Sequence, residues 1–240
     1  MKILIHPSYF PSIATFAAIV QHEVIWEVHD NFQKQTYRNR CYISTDKGKH
    51  MLNIPIKHVG GNEGRQKYID VSTENSYNWK KEHWRTLETA YRTSPFFEFY
   101  EDDIRPIYEG NEDSLYNLNL KTIEAIADCV GIKIPTAKTE TYQIEPTTYF
   151  DARFLVEAKK EKDWNIEPYT QVFEERHGFI PNLSILDLLF NEGTNTLSYL
   201  KNLSLGFTMT SFKGRKDNKD DLKNGPSPIP QESLSSKDKK

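Results

Sequence analysis

The sequence predicts an α/β fold: a mixed, mostly parallel sheet with flanking helices, a helical C-terminal half and a disordered polar tail. Strand-like and helix-like runs alternate over the first thirty residues, which is how parallel α/β domains begin. Helical periodicity dominates from about residue 78 onward, and apolar residues become scarce after Ser211. With 240 residues, 37% hydrophobic and 27% charged, the chain can bury one large core. A single domain is expected over 1–208 and a disordered tail over 209–240, because that tail lacks the apolar surface to offset ordering entropy.

Lys2–Ile5 reads as a buried strand, followed by a loop holding Pro7 and Pro11. Ile13–Gln21 reads as a helix with Ser12 as its N-cap, and Val24–Val28 as a second strand. Cys41–Ile43 and Met51–Ile56 form a hairpin around Asp46-Lys47-Gly48. Three glycines between Val59 and Gly64 mark a mobile loop, and Tyr68–Val71 reads as a short strand. Asn78–Thr93 carries an apolar and aromatic stripe through Trp84, Leu87 and Tyr91. Leu115–Val130 is the clearest helix, with Leu115, Leu118, Ile123 and Ile126 on one face, Ser114 or Asp113 as cap and Gly131 after it. A short strand is expected at Ile132–Ile134, and helices at Phe150–Lys160, Ser184–Phe190 and Thr196–Leu203.

Composition removes several function classes. No run approaches the roughly 18 apolar residues of a membrane span. Pro7 and Pro11 interrupt the apolar start before it can resemble a secretion signal. Cys41 and Cys129 fit neither a disulfide framework nor a zinc signature, so each reads as a small buried hydrophobe in a reducing, cytoplasmic setting. The seven histidines are scattered, so no metal site is expected, and no cofactor-binding glycine motif appears. Net charge is −3, which argues against a nucleic-acid partner. The charge is uneven, however: residues 31–67 hold eight Lys/Arg against Asp46 and Glu63. A basic segment on an acidic body points to one bound anion, a small-molecule substrate, rather than a long polyanion.

Four constellations can carry chemistry. His6-Pro7-Ser8-Tyr9 follows the first strand, where ligands of open α/β sheets bind. His6 there is either a general acid or base, a donor to phosphate, or a plain strand-end cap. After the second strand, Asp30 precedes a segment with Phe32, Lys34, Tyr37, Arg38, Asn39 and Arg40. The arginines can grip a phosphate or carboxylate at two points, Lys34 adds a point charge, and Asp30 can act as base or bind a sugar hydroxyl. A solvated edge loop is the plainer alternative. His83, Trp84, Arg85 and Tyr91 share one helix, where His83 is as readily a satisfied core histidine as a proton carrier, and Trp84 and Tyr91 read first as core. Asp187, amid Ile185, Leu186, Leu188 and Leu189, needs a buried partner such as an arginine or the N-terminus of another helix.

Several of these stretches resemble the WbqC-like protein family. They are Ile5–Ser12, the segment FQKQTYRNR from Phe32, Leu52–His58, WKKEHWRTLETAYRTSPFFEFY from Trp79, and FEERHGFIPNLSILDLLFNEG from Phe173. The likeness covers roughly residues 3–205. It implies a cytoplasmic bacterial protein encoded beside surface-polysaccharide (O-antigen) genes and acting on sugars. The chain departs from that pattern at His6, where many members carry Gln, and at His29, where many carry Asp. That exchange favours a hydrogen-bonding role for His6 over a proton-transfer role.

Together these point to a transferase-type enzyme using an activated sugar or acyl donor, such as a nucleotide-sugar. Lys34, Arg38, Arg40 and Lys57 would bind the anion, Tyr9 and Tyr37 would line the pocket, and His6, Asp30 or His83 would act on protons. Asn39, Trp84, Arg85 and Tyr91 would complete the substrate contacts. Two alternatives stand beside this: a nucleotidyltransferase-like activity, and an interaction protein using the aromatic run Phe96–Tyr100.

Overall fold

The computed structural model describes residues 1–57, 66–159 and 164–206. The glycine loop expected at Val59–Gly64 and the expected polar tail lie outside the described residues. Met1–Gly206 forms a compact unit.

The fold is mixed α/β. Strand β1 (Lys2–Ile5) is central, with β2 (Glu23–Trp26) on one side and the two-residue β5 (Phe150–Asp151) on the other, all parallel. Helix α1 (Ile13–Gln21) makes the crossover from β1 to β2. Its residues Ile13 to Ile19 are all buried, and the Ser12 hydroxyl accepts from the Thr15 amide as expected of an N-cap. Hairpin strands β3 (Arg40–Thr45) and β4 (Gly48–Asn53) pair in antiparallel register as a separate ribbon. Gly48 takes the positive φ of 94° that the two-residue turn demands.

The helical half opens with α2 (Trp79–Tyr91), which buries Trp79, His83, Leu87 and Tyr91. Next comes α3 (Phe97–Glu109), for which the sequence patterns supply no expectation because Pro106 stands in its third turn. Helix α4 (Leu115–Val130) is capped by Ser114, not Asp113, and Gly131 closes it at φ 74°. A single turn, α5 (Glu174–His177), precedes α6 (Ile185–Glu192) and α7 (Thr196–Asn202). Seven of the eight residues of α6 are buried, so it is an internal helix rather than one side of a surface layer.

Three expected elements differ. Phe150–Lys160 is not a helix: Phe150 and Asp151 pair with Ile3 and Leu4, and only Arg153–Val156 coils, as a 3-10 turn. The pairing edge of β1 outweighs local helix propensity there. Tyr68–Asp70 is also a 3-10 turn, because the Tyr68 amide donates to the Asp30 carbonyl and its hydroxyl to Pro7. Ile132–Ile134 forms no strand; the chain touches β2 only farther on, where Trp26 bridges Lys138.

Candidate functional site

Residues immediately past the carboxyl ends of the three parallel strands converge on one polar network. His6 follows β1 and Glu27 follows β2, and the Glu27 amide donates to the Ile5 carbonyl at 2.8 Å, so the two stand side by side. His6 Nε2 lies 3.1 Å from Asp30 Oδ2, and Arg38 Nη1 lies 3.8 Å from the same oxygen. From β5, Arg153 grips Asp151 through Nε and Nη2 at 2.8 Å each. Its remaining donors reach the carbonyls of Gln143 and Ile144, strapping that loop beside the strand ends. The position is where open α/β sheets bind ligands, because strand ends and loop side chains meet there.

Arg38 is only 2% exposed, which is unusual for an arginine. Its Nη1 also donates to the Asn31 carbonyl and its Nε to Thr36 Oγ1, while its guanidinium lies 5.4 Å from the Tyr68 ring centroid and 5.7 Å from Phe32. Asn119 on α4 donates to both the Arg38 carbonyl and the Tyr68 hydroxyl, tying the helical half to the site. Phe10, between the two, holds φ at 35°, a conformation a non-glycine residue keeps only when its surroundings enforce it. Here its amide donates to Thr122 Oγ1 and its carbonyl accepts from the Ser184 hydroxyl.

The electrostatics follow from burial. His6 is pushed down to about 4, first by loss of water and then by the Arg38 charge, against the opposing pull of Asp30. Burial works to raise the Asp30 carboxyl, but the His6 hydrogen bond and the charges of His6 and Arg38 more than offset it and leave it below the ordinary range. At neutral pH the pair is therefore a neutral imidazole donating to a carboxylate. That state suits hydrogen bonding by His6 better than proton abstraction.

The other expected site residues fall elsewhere. His83 sits 3.0 Å from the Tyr9 hydroxyl, which is 2.9 Å from the Tyr108 hydroxyl. Burial, offset in part by a hydrogen bond to the Asn53 backbone, holds this histidine at about 4 as well, so it is a neutral core group. Trp84 is half-buried against Phe97 and Tyr108. Tyr91 donates to Asp187 Oδ2 at 2.6 Å, within a third network. Tyr37 is buried and binds the backbone of Tyr9 and Val156. Asn39 closes the base of the hairpin through Asn53 and Ile54. Lys34, Lys57 and Arg85 are exposed and Arg40 is half-buried. His6, Asp30 and Arg38 are thus brought together; Lys57, held by its amide to Ser72, belongs to another loop.

Sequence reasoning missed Glu27, Tyr68, Asn119, Asp151 and Arg153. Glu27 carried a signal, being an acid inside an apolar run, but Arg153 was hidden by the helix expected around it. Asp187 finds neither of the partners expected for it. Tyr91, Tyr169 and Gln171 donate to it instead, and burial raises its carboxyl despite them. Of the aromatic run, Phe97 and Tyr100 are buried, Phe96 is half-buried and Phe99 is 71% exposed, so its aromatics do not form one exposed patch. A groove of about 330 Å³ between α3 and α4 is lined by Pro106, Ile107, Leu118 and Ala125 under an acidic rim, and includes no strand-end residue. Among the described residues no helix is long and apolar enough to cross a membrane, and no His/Cys/Asp/Glu group is arranged to hold a metal.

No solved structure matches the chain. It is 28% identical over 202 residues to the uncharacterized protein Rv1507c of Mycobacterium tuberculosis, covering 72% of this chain and 86% of that one. The model of the WbqC-like protein family matches residues 6–161, a span that holds every strand-end residue described above, and the chain belongs to that family.

Proposed function

We propose that this chain is a transferase-type enzyme acting on an activated sugar or acyl donor in bacterial surface-polysaccharide biosynthesis, in the cytoplasm. One observation carries the reading: five ionisable side chains from three parallel strands and their loops (His6, Glu27, Asp30, Arg38 and Arg153) are gathered at the strand ends and mostly buried. A scaffold with no ligand has little reason to bear that desolvation cost at a single place. Asp30, 15% exposed and ionised, is the group placed to activate an acceptor hydroxyl or amine, and His6 and Arg38 hold it in position. The transferred group moves from the donor's leaving oxygen or sulfur to that acceptor atom, whose proton passes to Asp30. The donor's anionic portion is accommodated by the exposed Lys34 at the rim.

Calorimetric titration with nucleoside-diphosphate sugars and acyl thioesters tests this. Binding of one class, weakened about tenfold in Lys34→Ala and uncoupled from turnover in Asp30→Asn, is expected. Failure of both classes to bind the folded chain overturns it.

A further inference from the structure

Away from the strand ends, α3 and α4 form a groove of about 330 Å³. Its walls follow from helical spacing. Asp103, Pro106, Ile107 and Gly110 stand at i, i+3, i+4 and i+7 along α3 and its C-cap, so they share one face. Leu118, Lys121, Ala125 and Asp128 make the matching face of α4. Leu118 is buried, Ile107 and Ala125 are half-buried and Pro106 is exposed, so the floor is apolar and open to solvent. From Leu118 to Asp128 the helix rises about 15 Å. About 330 Å³ spread over about 15 Å is roughly one side chain wide, which suits a row of side chains better than a compact molecule. Phe99 continues the α3 row one turn beyond Asp103 and is 71% exposed. An aromatic ring left in water at the end of an apolar channel gives a partner much to gain by covering it.

The rim carries one sign of charge. Five acids stand against one base on α3, and two acids against one base on α4. Both bases are occupied: Arg105 pairs with Glu101 at 3.3 Å and Lys121 with Glu112 at 3.0 Å. Asp103, Glu124 and Asp128, which line the groove, have no ion-pair partner among the described residues. Like charges along a channel repel, and a cation laid between them relieves the repulsion. An apolar floor between such lips fits leucine or phenylalanine flanked by lysine or arginine, and it opposes any anionic occupant.

We infer that the α3–α4 groove is a docking surface for a basic amphipathic segment of a partner protein. Its apolar side chains enter between Ile107, Leu118 and Ala125 and cover Phe99, while its Lys or Arg side chains pair with Asp103, Glu124 and Asp128. No strand-end residue lines the groove, so the surface stands independently of the chemistry proposed there.

The full-length chain is titrated with a synthetic leucine–lysine peptide, about 14 residues long with its leucines at helical spacing. Two control peptides carry serine in place of every leucine, or glutamate in place of every lysine. The titrations are repeated on Asp103→Lys, Glu124→Lys and Phe99→Ser, with thermal melts to verify folding. Asp46→Lys, in the β3–β4 turn, makes the same change in net charge on an element outside the groove. The leucine–lysine peptide is expected to bind, about tenfold more weakly in each groove variant and unchanged in Asp46→Lys, and both control peptides to lose at least about tenfold. No binding of the leucine–lysine peptide, or binding that survives in all folded groove variants, overturns the surface. Equal weakening in Asp46→Lys reduces the effect to overall charge and overturns it too, as does a serine–lysine peptide that binds as well as the leucine one. Sedimentation of the chain alone covers the remaining occupant: a dimer that Phe99→Ser dissociates makes the partner a second copy and overturns the basic segment.

Discussion

Single residues here show how burial rewrites side-chain chemistry. His6 and His83 both sit at about 4 instead of 6.5, chiefly because water is excluded from them. The unfolded chain takes up protons near the ordinary value, whereas the folded chain does so only near 4. The stability tied to these two histidines is therefore fully present above about pH 6.5 and is lost as pH drops toward 4, on the order of 3 kcal/mol per histidine. Urea denaturation across that window checks this, and His6→Gln is expected to remove about one proton from the slope while the His83 share remains. Asp187 makes the complementary point. Its two tyrosine partners are buried donors, so Asp187→Ala strands both hydroxyls and is expected to cost about 3–5 kcal/mol, whereas Asp187→Asn keeps one acceptor and costs less. Denaturation midpoints of the two variants rank them. Residue type alone marked Asp187 as needing a partner, but which partner depended on where residues 91 and 169 came to lie in space.

At the level of elements, local signals succeeded where a cap or a period was present. Ser12 and Ser114 each cap a helix through the side-chain oxygen, as short polar residues before apolar periods do, and Ser184, expected as the first residue of its helix, is instead its cap. Ser114→Ala is expected to lower stability by about 1 kcal/mol, read from thermal unfolding. Local signals failed where pairing decided the outcome: Phe150 joined β1, and Tyr68 was pinned by Asp30 and Pro7. They failed again at α3, where a proline inside the helix disguised it. Gly193, just after α6, shows a constraint that no window of sequence reveals. Its φ is 54°, and a Cβ there would lie 2.5 Å from the Phe96 ring. Gly193→Ala is expected to cost about 2–3 kcal/mol, a loss measurable by chemical denaturation.

Across the whole molecule, the C-terminal helices complete what the first strand begins. The Ile13 amide donates to Leu183, the Ile185 amide to Pro11, the Ala14 amide to the Asn182 side chain, and the Ser184 hydroxyl to Phe10. The loop that carries His6 and Ser8 is thus held in part by residues beyond the span of the family match. A fragment of residues 1–161 is expected to lack a cooperative melt, because it would expose the surface that α6 covers; circular dichroism against temperature checks this. The sequence by itself determined the α/β class, the order of the first strand, helix and strand, the strongest helices and the polar character of the segment around Asp30 and Arg38. Those features reside in periodicity, caps and composition, which act within a few turns of chain. Only the tertiary structure decided that Glu27 and Arg153 join His6, and that His83 and Tyr91 do not. Such assignments depend on strand order and register, which bring together side chains more than a hundred residues apart, and no local pattern encodes that distance.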